Sequence, residues 1–222
     1  MPKMRKVLWL LLLLPLLAGC GAGLKETGRL PILNPLGINF GGQSFAQIDM
    51  RLQANGGQPT GSWSNRGRFT DNATEVTVSD VRGFVLYQPI LSARIEPSSD
   101  SLPASITVER VEITIRVTDP QTGQSVQLKL DQPQNLLLTR AGGNSNEYVV
   151  PEGAGLRATY EATGADDVAT LQRLVEIVTK GGENNVDAQI ELSLQVAVEE
   201  SAALNEKTLT FEVSRGTGTL LF

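Results

Sequence analysis

From Val186 to Val198 every second residue is apolar: Val186, Ala188, Ile190, Leu192, Leu194, Val196 and Val198, with Asp187, Gln189, Glu191, Ser193 and Gln195 between them. A period of two is the signature of a strand, because successive side chains point to opposite faces. One face belongs in a core and the other in water, which is how antiparallel sheets are built. The pattern recurs in Ala46, Ile48, Met50, Leu52 and Ala54; in Leu91, Ala93 and Ile95; in Leu156, Ala158, Tyr160 and Ala162; and in Leu209, Phe211 and Val213. The chain is therefore expected to be mainly β, an antiparallel β-sandwich or half-barrel with one short helix.

One strand changes phase. Ile106 and Val108 stand at even positions, whereas Val111, Ile113, Ile115 and Val117 stand at odd ones. One extra residue near Glu109-Arg110 keeps both sets on the same face, so the slip predicts a β-bulge. Asp119-Pro120-Gln121-Thr122-Gly123 follows. Proline presets one turn dihedral and glycine accepts a positive φ, so this segment predicts a hairpin into Val126, Leu128 and Leu130.

A helical period occurs in one place. Val168, Leu171, Leu174, Val175 and Val178 recur at steps of three and four, after Asp166-Asp167 and before Lys180 and Gly181-Gly182. These are start and stop signals for a helix, whose apolar stripe must cover a sheet or the open end of a sandwich. Two stretches lack a period. Residues 55–72 are expected to form a long polar loop containing Trp63, Arg66, Arg68 and Phe69, and residues 141–147 a shorter Gly-Asn loop. Residues 21–43 are rich in Gly, Pro and Leu and read as a tether. Its apolar Leu30, Ile32, Leu33, Leu36, Ile38 and Phe40 lie against the domain or near a membrane surface, and docking on the domain is favoured.

The first residues carry an export signal. Lys3, Arg5 and Lys6 are basic, Val7 to Leu17 are apolar apart from Pro15, and Ala18-Gly19 lead to Cys20. The apolar run is about half the ~20 residues of a spanning helix. Leu17-Ala18-Gly19-Cys20 resembles the lipobox of bacterial lipoprotein precursors, matching at each position. The resemblance implies cleavage between Gly19 and Cys20, a diacylglycerol on the Cys20 thiol and an acyl chain on the new amino terminus. Each buried CH₂ adds ~0.8 kcal/mol, so two or three chains on one residue make a lasting anchor. Gly21 lacks the Asp that commonly retains such proteins at an inner membrane, so the resemblance favours an outer membrane, on its periplasmic or surface face. Three segments follow: a leader over 1–19, a lipidated Cys20 with its tether over 20–43, and a single β-rich domain over 44–222.

Composition narrows the chemistry. The chain has no histidine, and its single cysteine is Cys20. Ser-His-Asp triads, Cys-His nucleophiles, His or Cys zinc sites and structural disulfides are all excluded. The leader takes three of 19 basic residues and none of 24 acidic ones, leaving a net charge of about −8, which disfavours nucleic acid and anionic lipid. Aromatics are only 5%, which weakens the case for a broad carbohydrate platform. Asp166-Asp167 and Glu199-Glu200 lack the spacing of a calcium loop, Asn72-Ala73-Thr74 is a chance sequon, and Phe222 ends an apolar last strand. No catalytic, metal or cofactor residue is expected.

The binding candidates are Trp63, Arg66, Arg68 and Phe69, because Trp and Arg dominate interface hot spots; the plainer reading is a surface loop whose rings fold back on the sheet. The expected function is a non-enzymatic binding or accessory module at a bacterial envelope, meeting a protein or an envelope polymer. The alternative is a lipid carrier with a β half-barrel and helical lid. A glycosidase with paired carboxylates ranks last, because no pair is identifiable.

Overall fold

The computed structural model describes residues 29–69, 80–180 and 186–222. The expected leader over 1–19, Cys20, Asn72 and Gly181-Gly182 lie outside them. The elements are β1 (Arg29–Leu33), β2 (Phe45–Gln53), β3 (Thr60–Phe69), β4 (Gly83–Glu96), β5 (Ser105–Thr118), β6 (Ser125–Arg140), β7 (Glu147–Val149), β8 (Gly155–Glu161), α1 (Ala165–Lys180), β9 (Val186–Ala197), β10 (Thr208–Ser214) and β11 (Thr217–Leu221), with a 3-10 turn at Ser201–Leu204.

Every pairing is antiparallel. The neighbours run β4, β10, β2, β3, β9, β5, β6, β7 and return to β4. The strands thus close into a ring of eight, where the period alone pointed to a sandwich or a half-open barrel. Closure leaves no free edge in that ring, which removes a template for aggregation. A second sheet, β1-β11-β4-β8, shares β4. The first half of β4 pairs with β11 and β8, and the second half with β10 and β7. On the far edge of β8, Gln132 Oε1 accepts from Thr159 N at 2.8 Å and Gln134 Oε1 from Arg157 N at 3.3 Å. Two glutamines of β6 thereby stand in for a neighbouring strand.

The register of β5 jumps between Val108 and Arg110 against both β6 and β9, so the bulge at Glu109-Arg110 is present. Ile106, Val108, Val111, Ile113, Ile115 and Val117 are all buried. The β5–β6 turn also forms: Asp119 O accepts from Gly123 N at 2.8 Å, and Gly123 has φ 69°. A second bulge went unseen in the sequence. Val213 pairs with Ile90 and Glu212 with Ser92, which leaves Leu91 outside the ladder. Leu91 is 52% exposed, and Ile90 takes the core position that the alternation assigned to Leu91.

Helix α1 is 16 residues long. It buries Leu171, Val175 and Ile177 against β5 and β6; the side chain of Val178 is outside the described residues. Asp166 and Asp167 occupy its first turn, where negative charge suits the helix dipole. Arg173 ties the helix to the β5–β6 turn through Asp119 Oδ2 at 3.0 Å.

The largest departure from the strand pattern lies between β2 and β3. Residues 55–72 were expected to be a loop, but Thr60–Phe69 is a strand that pairs with β9 at ten positions. It meets β2 at only three: Arg51 with Ser62, Leu52 with Gly61, and Gln53 with Thr60. Beyond that base β2 follows β10, β3 follows β9, and the two diverge. Residues 34–40 lie in the gap. Leu36, Ile38 and Phe40 are buried, and Asn65 Nδ2 donates to Leu36 O at 3.1 Å and Gly37 O at 2.8 Å. Asn34, at φ 52°, brackets the turn by donating to Ile38 O and accepting from Ile38 N. With β1 paired to β11, residues 29–40 lie against the domain, the favoured of the two placements expected for the segment 21–43.

Candidate functional site

Where β2 and β3 part, an open cleft of about 450 Å³ remains. Its walls come from three places. β3 supplies Trp63 and Asn65, the start of β2 supplies Phe45 and Gln47, and the bend before β2 supplies Asn39 and Gln43. Strand alternation explains the β3 side. Gly61, Trp63 and Asn65 share one face, and a Cβ on Gly61 would stand 3.0 Å from Leu52 Cδ2. β2 and β3 therefore approach closely at the base before separating. Trp63 is half-buried and packs on the core, opposite Leu192 across the ladder.

Alternation also divides the residues that the sequence grouped together. Arg66 is exposed on the other face of β3, with Nη2 3.4 Å from Gln189 Oε1. Arg68 and Phe69 pair with Asp187 and Val186 through the backbone, and their side chains lie outside the described residues. Of the two whose side chains are described, Trp63 lines the cleft and Arg66 does not. Phe45, Asn39, Gln43, Gln47 and Asn65 were missed. They come from separate stretches that only the divergence of β2 and β3 brings together.

Among the described residues the cleft lining carries no Asp, Glu, Lys or Arg. It offers two aromatic rings and four carboxamides, and part of the amide capacity is committed. Both of Asn65's bonds go to the plug segment. Asn39 Oδ1 accepts from Gly41 N at 2.9 Å, and Gln47 Oε1 lies 3.4 Å from Arg94 Nη2. The Gln43 side chain has no partner among the described residues. Stacking and neutral hydrogen bonding are what such a surface performs.

Perturbed titratable groups lie elsewhere and hold the scaffold. Arg110 grips Asp131 with two bonds, Nε to Oδ1 at 2.6 Å and Nη2 to Oδ2; this holds the Asp131 carboxyl below the usual range and raises the guanidinium. The Gln121 amide lowers Asp119, helped by Thr122 and Arg173. Burial raises the phenol of Tyr148, which donates to Pro103 O at 2.8 Å, and also that of Tyr160. Among the described residues no three His, Cys, Asp or Glu side chains gather as a metal site.

No family model matches the chain, and no curated protein matches it. Among solved structures, the carbohydrate-binding module TmCBM61 in complex with β-1,4-galactotriose is 9% identical, with 86% of this chain and 91% of that one covered and a TM-score of 0.20. A structure of infectious bursal disease virus, Gx strain, is 9% identical over 86% of this chain and 36% of that one, at a TM-score of 0.23. The family 7 alginate lyase A1-II′ is 9% identical over 83% and 96%, at a TM-score of 0.22. Likenesses this faint carry no argument about what the cleft does.

Proposed function

We propose that this chain is a lipid-anchored lipoprotein of a bacterial envelope whose sandwich-like β-domain is a non-enzymatic binding module. The observation that carries the reading is Leu17-Ala18-Gly19-Cys20 at the end of a basic and then apolar leader. The distance to the folded part supports it. β1 begins at Arg29, so nine residue steps separate Cys20 from the first strand and span at most ~30 Å at full extension. An acylated Cys20 would hold the domain close to the bilayer while leaving it free to meet soluble or polymeric partners. Gly21 favours the outer membrane. No helix among the described residues is long and apolar enough to cross a membrane.

The cleft supplies the binding half of the reading: it is concave, uncharged and lined by rings and amides. That lining gives the lipid-carrier alternative less support, since an acyl chain would desolvate the Gln43 amide and the uncommitted N–H groups of Asn39 and Gln47 without offering them partners, at a cost of about 1–3 kcal/mol for each group left unpaired. The test is metabolic labelling with an alkyne fatty acid in a Gram-negative host. Wild type is expected to take up label and lose its leader, whereas Cys20→Ser takes up none and keeps it. Equal labelling of the two proteins, or an unlabelled wild type, would overturn the anchor.

A further inference from the structure

The geometry points to an uncharged saccharide as the ligand of the cleft between β2 and β3. This deepens the binding-module reading and rests on it. A sugar ring has two apolar C–H faces and a rim of hydroxyls. It needs a flat aromatic surface for a face and, at its rim, groups that donate and accept alike. Trp63, half-buried, and Phe45, exposed, both line the cleft and are the two rings that could supply such a surface. Carboxamides combine a carbonyl acceptor with two N–H donors, which suits hydroxyls that also act in both roles. Gln43 is uncommitted among the described residues, and the amide donors of Asn39 and Gln47 remain available beside their occupied oxygens.

Charge excludes the nearest competitors. A phosphate, a uronate or an acidic peptide would find no cationic side chain among the described lining residues, in a protein whose net charge is negative. Ionised groups desolvated without partners are costly. The volume of about 450 Å³ lies within the ~300–1,000 Å³ typical of small-molecule sites. The site is also preorganised. Trp63 sits in a ten-pair ladder with β9, and Asn65 fastens the plug that forms the neighbouring wall. Little ordering entropy is then lost on binding. The low overall aromatic content is compatible with this, because one short sugar segment needs only the two rings gathered here.

Trp63 is the sole tryptophan outside the leader, where Trp9 stands, so its emission reports on the cleft directly. The experiment titrates the full processed chain, in detergent micelles, with maltotetraose and chitotetraose as neutral probes, tetragalacturonate as a charged one and tetra-alanine as a peptide. Emission should shift and saturate with at least one neutral sugar below about 10 mM, the weak end of specific binding. Phe45→Ala and Gln43→Ala alter exposed residues and should weaken that binding about tenfold or more, with an unchanged urea midpoint. Trp63→Phe should remove the signal while calorimetry still detects weaker binding. No saturation with either neutral sugar would overturn the assignment. So would equal binding of tetragalacturonate, a response to tetra-alanine alone, or full affinity in Phe45→Ala. A failure here with the label on Cys20 intact leaves the anchored reading standing, and loss of that label leaves this one standing.

Discussion

Truncating Leu36 asks whether residues 34–40 are part of the core or a dispensable leash. The side chain is fully buried. Leu36→Ala removes three carbons, which at ~0.8 kcal/mol each is about 2.4 kcal/mol of transfer free energy. The cavity left behind raises this toward the middle of the ~2–5 kcal/mol range of such changes, so about 3 kcal/mol is expected. Asn65→Ala attacks the same segment from outside. Its two bonds to Leu36 O and Gly37 O, at 3.1 and 2.8 Å, are each worth about 0.5–1.5 kcal/mol. Once either change has loosened the plug, the other has less to lose. The double variant should therefore fall short of the sum by about 1 kcal/mol, a coupling typical of groups in contact. Urea unfolding followed by circular dichroism measures all three, and thermal unfolding should drop by about 2–4 °C per kcal/mol for a domain of this size. Leu91→Ala is the control, since Leu91 is 52% exposed and should cost under about 0.5 kcal/mol. If Leu36→Ala behaves like Leu91→Ala, the segment does not close the gap between β2 and β3, and one wall of the cleft goes with it.

Two further outcomes test the packing and the electrostatics. A Cβ on Gly218 would stand 2.7 Å from Phe84 Cε2, so Gly218→Ala should lose about 1–3 kcal/mol by overpacking; adding Phe84→Leu should restore part of that loss, and a neutral single variant would contradict the contact. The Asp119 carboxyl is held below 3.8 by the Gln121 amide first and Arg173 last. A depressed folded pKa stabilises above the unfolded value and is lost as pH falls through the folded one. Asp119→Asn should therefore lower the urea midpoint at neutral pH by a margin that shrinks in the acid limb, below about pH 4; a margin constant down to pH 3 would show that the hydrogen bonds and charge around Asp119 do not favour its ionised form.

Much of the scaffold was legible because hydrophobic period and turn chemistry agreed. The Glu109-Arg110 slip was visible because two charges interrupt an apolar row. The slip at Leu91 was hidden, since Ile90 and Leu91 are both apolar and either phase satisfies the pattern. Strand β3 was unreadable as a strand for a different reason. Thr60–Phe69 has two apolar side chains beyond glycine, and Gly61 takes an inward place because Leu52 and Met50 fill the space. Tertiary pairing with β9 overrides weak local propensity there. Gly216 and Gly218 broke the final alternation for the same cause: Gln88 and Phe84 occupy the room their side chains would need. The cleft could not be read at all, since it exists only where β2 and β3 part and residues 39–47 fold back beside Trp63. The proposed leader lies outside the described residues, so its reading rests on the local order of basic, apolar and small residues before Cys20.

Intact-mass spectrometry of the protein extracted from bacterial membranes bears most directly on the anchored reading. It should find a chain beginning at Cys20, heavier than the bare polypeptide by a diacylglyceryl group and one amide-linked acyl chain. A mass that retains residues 1–19, or a free thiol on a cleaved chain, would contradict it.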